Sequence, residues 1–266
     1  MKKSIYLVLS SFLLLVSCEE VVELDLNQHE KKLVIDANLF VDEMQYSKIR
    51  VFYSAPFYVD TYQYVSTATV TITDLASNET YPFVYSDNGF YENTNFTAQL
   101  SHEYELNISY DGAVYKAYSQ VWEAPEILNV EQINDGGFSG DSYEIRFYYQ
   151  DPADTDDYYL MQTTDSEENE FSITNDQFTN GNLVNDIYFA DKEQVGETIF
   201  YALAKIDKNY YNYLNKMFSN AAEAGNPFAT PTGTVKGNIE NSTMPNNFPL
   251  GYFHISKRSQ TTYTIQ

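Results

Sequence analysis

Cysteine is nearly missing from this chain of 266 residues: there is one, Cys18. A lone cysteine permits no disulfide within the chain, so burial and hydrogen bonding must hold the fold. Tryptophan also occurs once, and histidine three times, as His29, His102 and His254. With so few imidazoles and one thiol, the common carriers of acid–base and nucleophilic chemistry are scarce. No G-x-S-x-G, H-E-x-x-H or glycine-rich phosphate loop is found either, so the chain is read as non-enzymatic. Positive charge is short as well: 15 Lys and Arg stand against 38 Asp and Glu, a net charge of −23. Such a field repels nucleic acid and anionic headgroups, which argues against a nucleic-acid partner. Long hydrophobic runs are wanting too. The longest, Ile5 to Val16, is broken by Ser10 and Ser11 and falls short of the roughly 20 residues that span a bilayer.

What is present begins at the amino end. Lys2 and Lys3 precede that short apolar run, the order of an export signal. Leu15-Val16-Ser17-Cys18 then resembles the lipobox of bacterial lipoproteins. The resemblance implies diacylglyceryl transfer to the Cys18 sulfur, cleavage after Ser17 and acylation (palmitate) of the new amine. Residues 1–17 are then a signal peptide, Cys18 is the membrane anchor, and residues 18–32 form a tether with little to bury. Several acyl chains anchor stably where one would not. Cleavage would also remove Lys2 and Lys3, leaving a still more acidic chain. Glu19 and Glu20 resemble the acidic signal that sends lipoproteins of the Bacteroidota to the outer face of the outer membrane, and a plain acidic spacer is the alternative.

From Leu33 onward, apolar residues recur with a period of two. Leu33, Ile35, Ala37 and Leu39 alternate with polar positions, as do Ile49 and Val51, the Thr69–Thr73 run, Tyr81, Phe83 and Tyr85, and Tyr104, Leu106 and Ile108. Asp87-Asn88-Gly89 and Asp111-Gly112 supply hairpin turns. The pattern predicts an antiparallel β-sandwich over residues 33–122. Pro125 breaks the alternation, and a second β-rich domain is expected over 127–266. One helix is expected there at about 207–224, capped by Asp207, with Tyr210, Leu214, Met217 and Ala221 on its packed stripe and Gly225 at its end.

Two features are candidates for binding. The chain holds 25 Tyr and 17 Phe, and Phe57, Tyr58, Tyr62 and Tyr64 fall in one irregular segment, SAPFYVDTYQYV. Exposed there, they would meet a protein partner or stack on sugar rings, whereas buried they would cover the sandwich edge. The densest acidic cluster, Asp151, Asp154, Asp156 and Asp157, could supply several of the oxygens that calcium requires. Its spacing is not that of an EF-hand, and a solvated loop is the preferred reading, so no cofactor is expected beyond the lipid.

Several segments taken in order resemble a known family: CEE, KLVIDANL, SAP, ATVTITD, GFYE, EYELNISYDGAVYKA, AKIDKNYYNYL, GNPF, VKGNIEN and LGYF. This is the Bacteroidota outer-membrane lipoprotein family known as domain of unknown function 4249. The resemblance implies an immunoglobulin-like or carboxypeptidase-regulatory-like sandwich followed by a second β-rich domain. It also implies genetic proximity to a TonB-dependent outer-membrane transporter, and it supplies no catalytic residues. The expectation is an accessory subunit of such a transporter, lipid-anchored and facing the cell surface, that helps capture or gate cargo. A free-standing glycan- or ligand-binding module is the alternative.

Overall fold

The structure, a computed structural model, describes residues 31–41, 47–55, 61–223 and 233–266. The expected signal, Cys18, nearly all of the tether, Phe57, Tyr58 and Gly225 lie outside the described residues.

In chain order the first elements are β1 (Leu33–Phe40), β2 (Ser47–Tyr53), β3 (Gln63–Tyr64), β4 (Thr69–Asp74), β5 (Thr80–Tyr85), β6 (Phe90–Asn93), β7 (Glu103–Tyr110), β8 (Ala113–Gln120) and the short β9 (Trp122–Glu123). There follow β10 (Ile127–Gly136), β11 (Ser142–Gln150), β12 (Tyr158–Thr164), β13 (Asn169–Asn175), β14 (Leu183–Asp191) and β15 (Thr198–Ile206). The helix α1 (Lys208–Glu223) precedes β16 (Glu240–Asn241) and β17 (Leu250–Thr264). The protein is mainly β with one helix among the described residues, as the alternation requires.

The alternating residues of β1, β2, β4 and β7 turn inward together. Ile35, Ala37, Leu39, Ile49, Val51, Val70, Ile72, Leu106 and Ile108 form one buried cluster between two layers of a sheet that curls on itself. Asp111 and Gly112 both take positive φ, 48° and 74°, the geometry of the tight turn that joins β7 to β8. Phe147 of β11 and Tyr201 of β15 stack at 4.1 Å in a second core. There the three-stranded sheet β10-β11-β14 faces β12 and β15.

One strand joins the two cores. Residues 250–256 of β17 run parallel to β1, while residues 258–264 run antiparallel to β15. Phe253, Ile255 and Ile239, all from the segment expected to form a second unit, are buried in the first core. Parallel pairing between a strand near each end of the domain cannot be read from local pattern, because nothing in the sequence specifies that register.

The helix begins where its cap predicts. Asp207 Oδ1 accepts from the backbone N–H of Asn209 at 2.8 Å and of Tyr210 at 3.0 Å. Its packed face differs from the expected stripe. Tyr210, Tyr211, Tyr213 and Leu214 pack on the sheet, while Met217 and Ala221 are exposed. The contact is made by the first two turns, so the later half of the stripe has no sheet beneath it.

Candidate functional site

The alternation that buries Ile35, Ala37 and Leu39 of β1 necessarily presents Asp36, Asn38 and Phe40 on the opposite face. In β2 the same rule presents Lys48, Arg50 and Phe52. On this outer face α1 is seated through Tyr210, whose ring lies 4.6 Å from Tyr252 and 4.4 Å from His254. Beyond that contact the helix leaves a cleft of about 450 Å³, within the usual range for small-molecule sites. Leu214 and Phe218 of the helix and Phe40, Leu160 and Phe171 of the strands make it apolar, and Asp36, Asn38, Lys48 and Arg50 gather on the β1–β2 side.

Each polar group is held. Arg50 donates from Nη2 to the Tyr64 hydroxyl at 3.0 Å and from Nε to the Asn88 carbonyl at 3.1 Å. Its guanidinium also lies 4.7 Å from the centre of the Phe90 ring and 5.0 Å from that of Tyr64, a cation–π arrangement that fixes the fork. Lys48 pairs with Glu92 at 2.8 Å. Asp36 accepts from Asn38 Nδ2 at 2.7 Å. It retains solvent access, yet the protein around it desolvates the carboxyl enough to raise its pKa, against the lowering effects of Asn38 and Arg50. The Asn38 Oδ1 atom is buried without a partner. Two basic side chains of a strongly acidic protein thus meet at a ligand-sized hollow.

His254 lies under the helix, fully buried, with neither ring nitrogen hydrogen-bonded. Burial pulls its pKa down to about 3, so the ring is neutral at ordinary pH and packs against Tyr210 as a flat apolar group.

The described tyrosines of the expected aromatic segment are at the surface. Tyr62 is 46% exposed and Tyr64 36%. Tyr62 meets Phe52 edge-on at 5.1 Å, and Tyr64 leads through Arg50 into the cleft. Sequence reasoning missed the cleft itself, although the Lys48-Ile49-Arg50 alternation on β2 was visible.

The acidic cluster divides. Asp154 and Asp156 are exposed, as a solvated loop requires. Asp151 and Asp157 are not: they are 2% and 1% exposed, and Asp176, at 5%, joins them. This corrects the expectation for those two residues. One carboxylate oxygen from each of the three lies within 4.8 Å of the others. The Asp151 carboxylate accepts from the Tyr159 hydroxyl at 2.6 Å and the Gly181 N–H at 3.0 Å. Asp157 accepts from the Thr155 hydroxyl at 3.0 Å and ion-pairs with Lys205. Asp176 was missed because β13, which delivers it opposite Asp157, is mostly polar and gives no strand signal. The following acidic run, Asp165 to Glu170, borders a separate hollow of about 410 Å³ with Tyr188.

Fold and cleft together define a mainly β protein with a helix-walled, ligand-sized hollow on the outside of its curled sheet. The chain belongs to the family described as Domain of unknown function (DUF4249), which matches residues 19–262. None of the curated proteins matches it. Among solved structures it is similar to a cytokine receptor complex, at 11% identity over 68% of this chain and 86% of that one, with a TM-score of 0.26. It is also similar to a two-domain fibronectin type-III segment of chicken tenascin, at 9% identity over 67% and 92%, with a TM-score of 0.22. A third likeness is to a DUF4785 family protein of Legionella pneumophila, at 11% identity over 66% and 52%, with a TM-score of 0.24.

Proposed function

We propose that this protein is a non-enzymatic outer-membrane lipoprotein, anchored through Cys18 at the cell surface, that serves as the binding subunit of a TonB-dependent transporter and helps capture or gate its cargo. The lipobox and the family's resemblance support the anchor and the partner. The observation that carries the binding role is the cleft under α1, where apolar walls converge on Arg50, Lys48 and Asp36. A hollow of this kind holds an amphipathic ligand, the apolar body against Leu214 and Phe218 and the polar end against the β1–β2 side.

A second reading, a free-standing glycan- or ligand-binding module, draws on the exposed Tyr62 and Tyr64 rings beside the cleft, which could stack on sugars. A mild-detergent pull-down of the C-terminally tagged protein from native outer membranes separates the two. A transporter recovered in near-equal amount is the expected result. A protein that comes out alone overturns the subunit role, and glycan binding lost in Tyr62→Ala and Tyr64→Ala would then establish the second reading.

A further inference from the structure

The loops at one end of the second sandwich carry more buried negative charge than their partners offset. Asp151, Asp157 and Asp176 are all nearly inaccessible, and Lys205 is the one cation that pairs with them among the described residues. Three carboxylates against one ammonium leave an uncompensated charge in a place where water cannot screen it, and such groups are found paired or holding a metal. Hydrogen bonds satisfy part of the set, through Tyr159 and Gly181 on Asp151 and Thr155 on Asp157. The Oδ2 atom of Asp176 is different. It is buried and has no hydrogen-bond partner, in a residue whose carboxylate lies within 4.8 Å of the other two.

We propose that Asp151, Asp157 and Asp176 form a calcium-binding site that ties the 151–157 loop to the 176–182 loop. The donors are all oxygens, with no sulfur and no imidazole, which selects a hard cation. Buried carboxylates arriving from two loops suit the irregular shell of calcium, which takes bidentate carboxylates and carbonyl oxygens, better than the water-rich octahedron of magnesium. The backbone already holds the loops in register: the Asp151 N–H donates to the Asn182 carbonyl at 3.0 Å, and the Asp176 N–H to the Asp157 carbonyl at 3.1 Å. Calcium then supplies the charge that this framework lacks. The site is separate from the cleft and does not depend on the binding role proposed above.

Titrating the full-length, EDTA-treated, detergent-solubilised protein with calcium chloride tests this. Calorimetry should find one saturable equivalent per chain, with no comparable site for magnesium chloride. The melting temperature should rise by about 5–10 °C at a hundredfold excess over Kd. Trp122, the sole tryptophan, has the Lys205 ammonium 5.9 Å from its ring, so its fluorescence should change as Lys205 readjusts. Asp176→Asn should abolish the calcium response and raise the calcium-free melting temperature, because one buried charge is gone. Asp154→Asn, at the exposed neighbour, should respond like the parent. No saturable binding in the parent, or binding that Asp176→Asn retains, overturns the site. Should Asp176→Asn fail to fold, terbium luminescence sensitised by Tyr159 replaces it. Loss of that signal in Tyr159→Phe and on adding calcium supports the site, and an unchanged signal in either overturns it.

Discussion

Replacing Gly251 by alanine should damage this fold far more than its position near the end of the chain suggests. Gly251 takes a φ of 100°, a conformation that costs a residue with a side chain roughly 1–3 kcal/mol. The greater cost is steric. A Cβ placed there would overlap the Ile35 carbonyl oxygen and sit 2.7 Å from its carbon. That obstacle is backbone in the β1–β17 pair, and it cannot rotate aside. Nor can β17 back away freely, since Gly237 presses on it from the other side: a Cβ on Gly237 would lie 2.8 Å from the Gly251 carbonyl carbon. Relief must come from shifting a strand that carries Phe253 and Ile255, both fully buried. Forced repacking of that kind adds roughly 1–3 kcal/mol, for a total of about 2–6 kcal/mol.

Gly112→Ala is the control. Gly112 also has positive φ, at 74°, but a methyl group in place of its hydrogen would meet nothing within 4 Å. It should therefore lose only about 1–2 kcal/mol. Urea unfolding followed by Trp122 fluorescence compares them, because Trp122 pairs with Ser256 of β17. In a chain of this size each kcal/mol lowers the melting temperature by about 2–4 °C. If Gly251→Ala proves no worse than Gly112→Ala, the close approach of β1 and β17 is not what Gly251 serves, and the reasoning fails.

Three further outcomes are expected. His254 has a folded pKa near 3 against about 6.5 unfolded, so between those values the unfolded chain binds the extra proton and stability falls as pH falls, by about 1.4 kcal/mol per unit. His254→Leu should remove that dependence; an equal melting-temperature difference from the parent at pH 7.5 and 4.5 would refute it. Asp36 has a raised folded pKa, so its charged form costs stability at neutral pH and the cost fades as pH drops into the carboxylate range. Asp36→Asn should therefore melt higher than the parent at pH 7 and no higher at pH 3, as calorimetric scans would read. Cys18→Ala should leave the protein soluble and without labelled palmitate in fractionated cells, and a variant still membrane-bound and labelled contradicts the lipid anchor.

Much of the first sandwich was legible because its inward and outward residues alternate cleanly. Val70 and Ile72 between threonines, or Tyr104, Leu106 and Ile108 between polar positions, need no partner to declare their faces. The strands β13 and β14 were not legible. On β14 Leu183, Ile187 and Phe189 are exposed while Val184, Tyr188 and Ala190 face the second core, so both faces carry apolar residues and alternation does not declare which is buried. The cleft was hidden for another reason. Asp36 and Arg50 are cross-strand neighbours, but Leu214 and Phe218 reach them only once α1 has settled on β17. The tyrosine segment was visible as composition, whereas its link to the cleft runs through Arg50, which donates to the Tyr64 hydroxyl and lies over its ring.

Two of the family-like segments acquire a physical meaning from this packing. VKGNIEN and LGYF are separated in sequence by a proline-containing loop but lie in contact in the fold. Gly237 lets the first lie flat on Gly251 of the second, and Asn238 then completes the pairing with its side chain. Its Nδ2 donates to the Phe253 carbonyl at 2.9 Å, and its Oδ1 accepts from the Phe253 N–H at 2.9 Å, so an amide does the work of a neighbouring strand. One face of the strand fixed in this way carries Phe253 and Ile255 into the first core, and the other carries Tyr252 and His254 beneath α1. It then continues beside β15 into the second core. A chain without disulfides can hold two cores together in this way because a single continuous strand is structural in both, and the position of the cleft wall depends on that same strand.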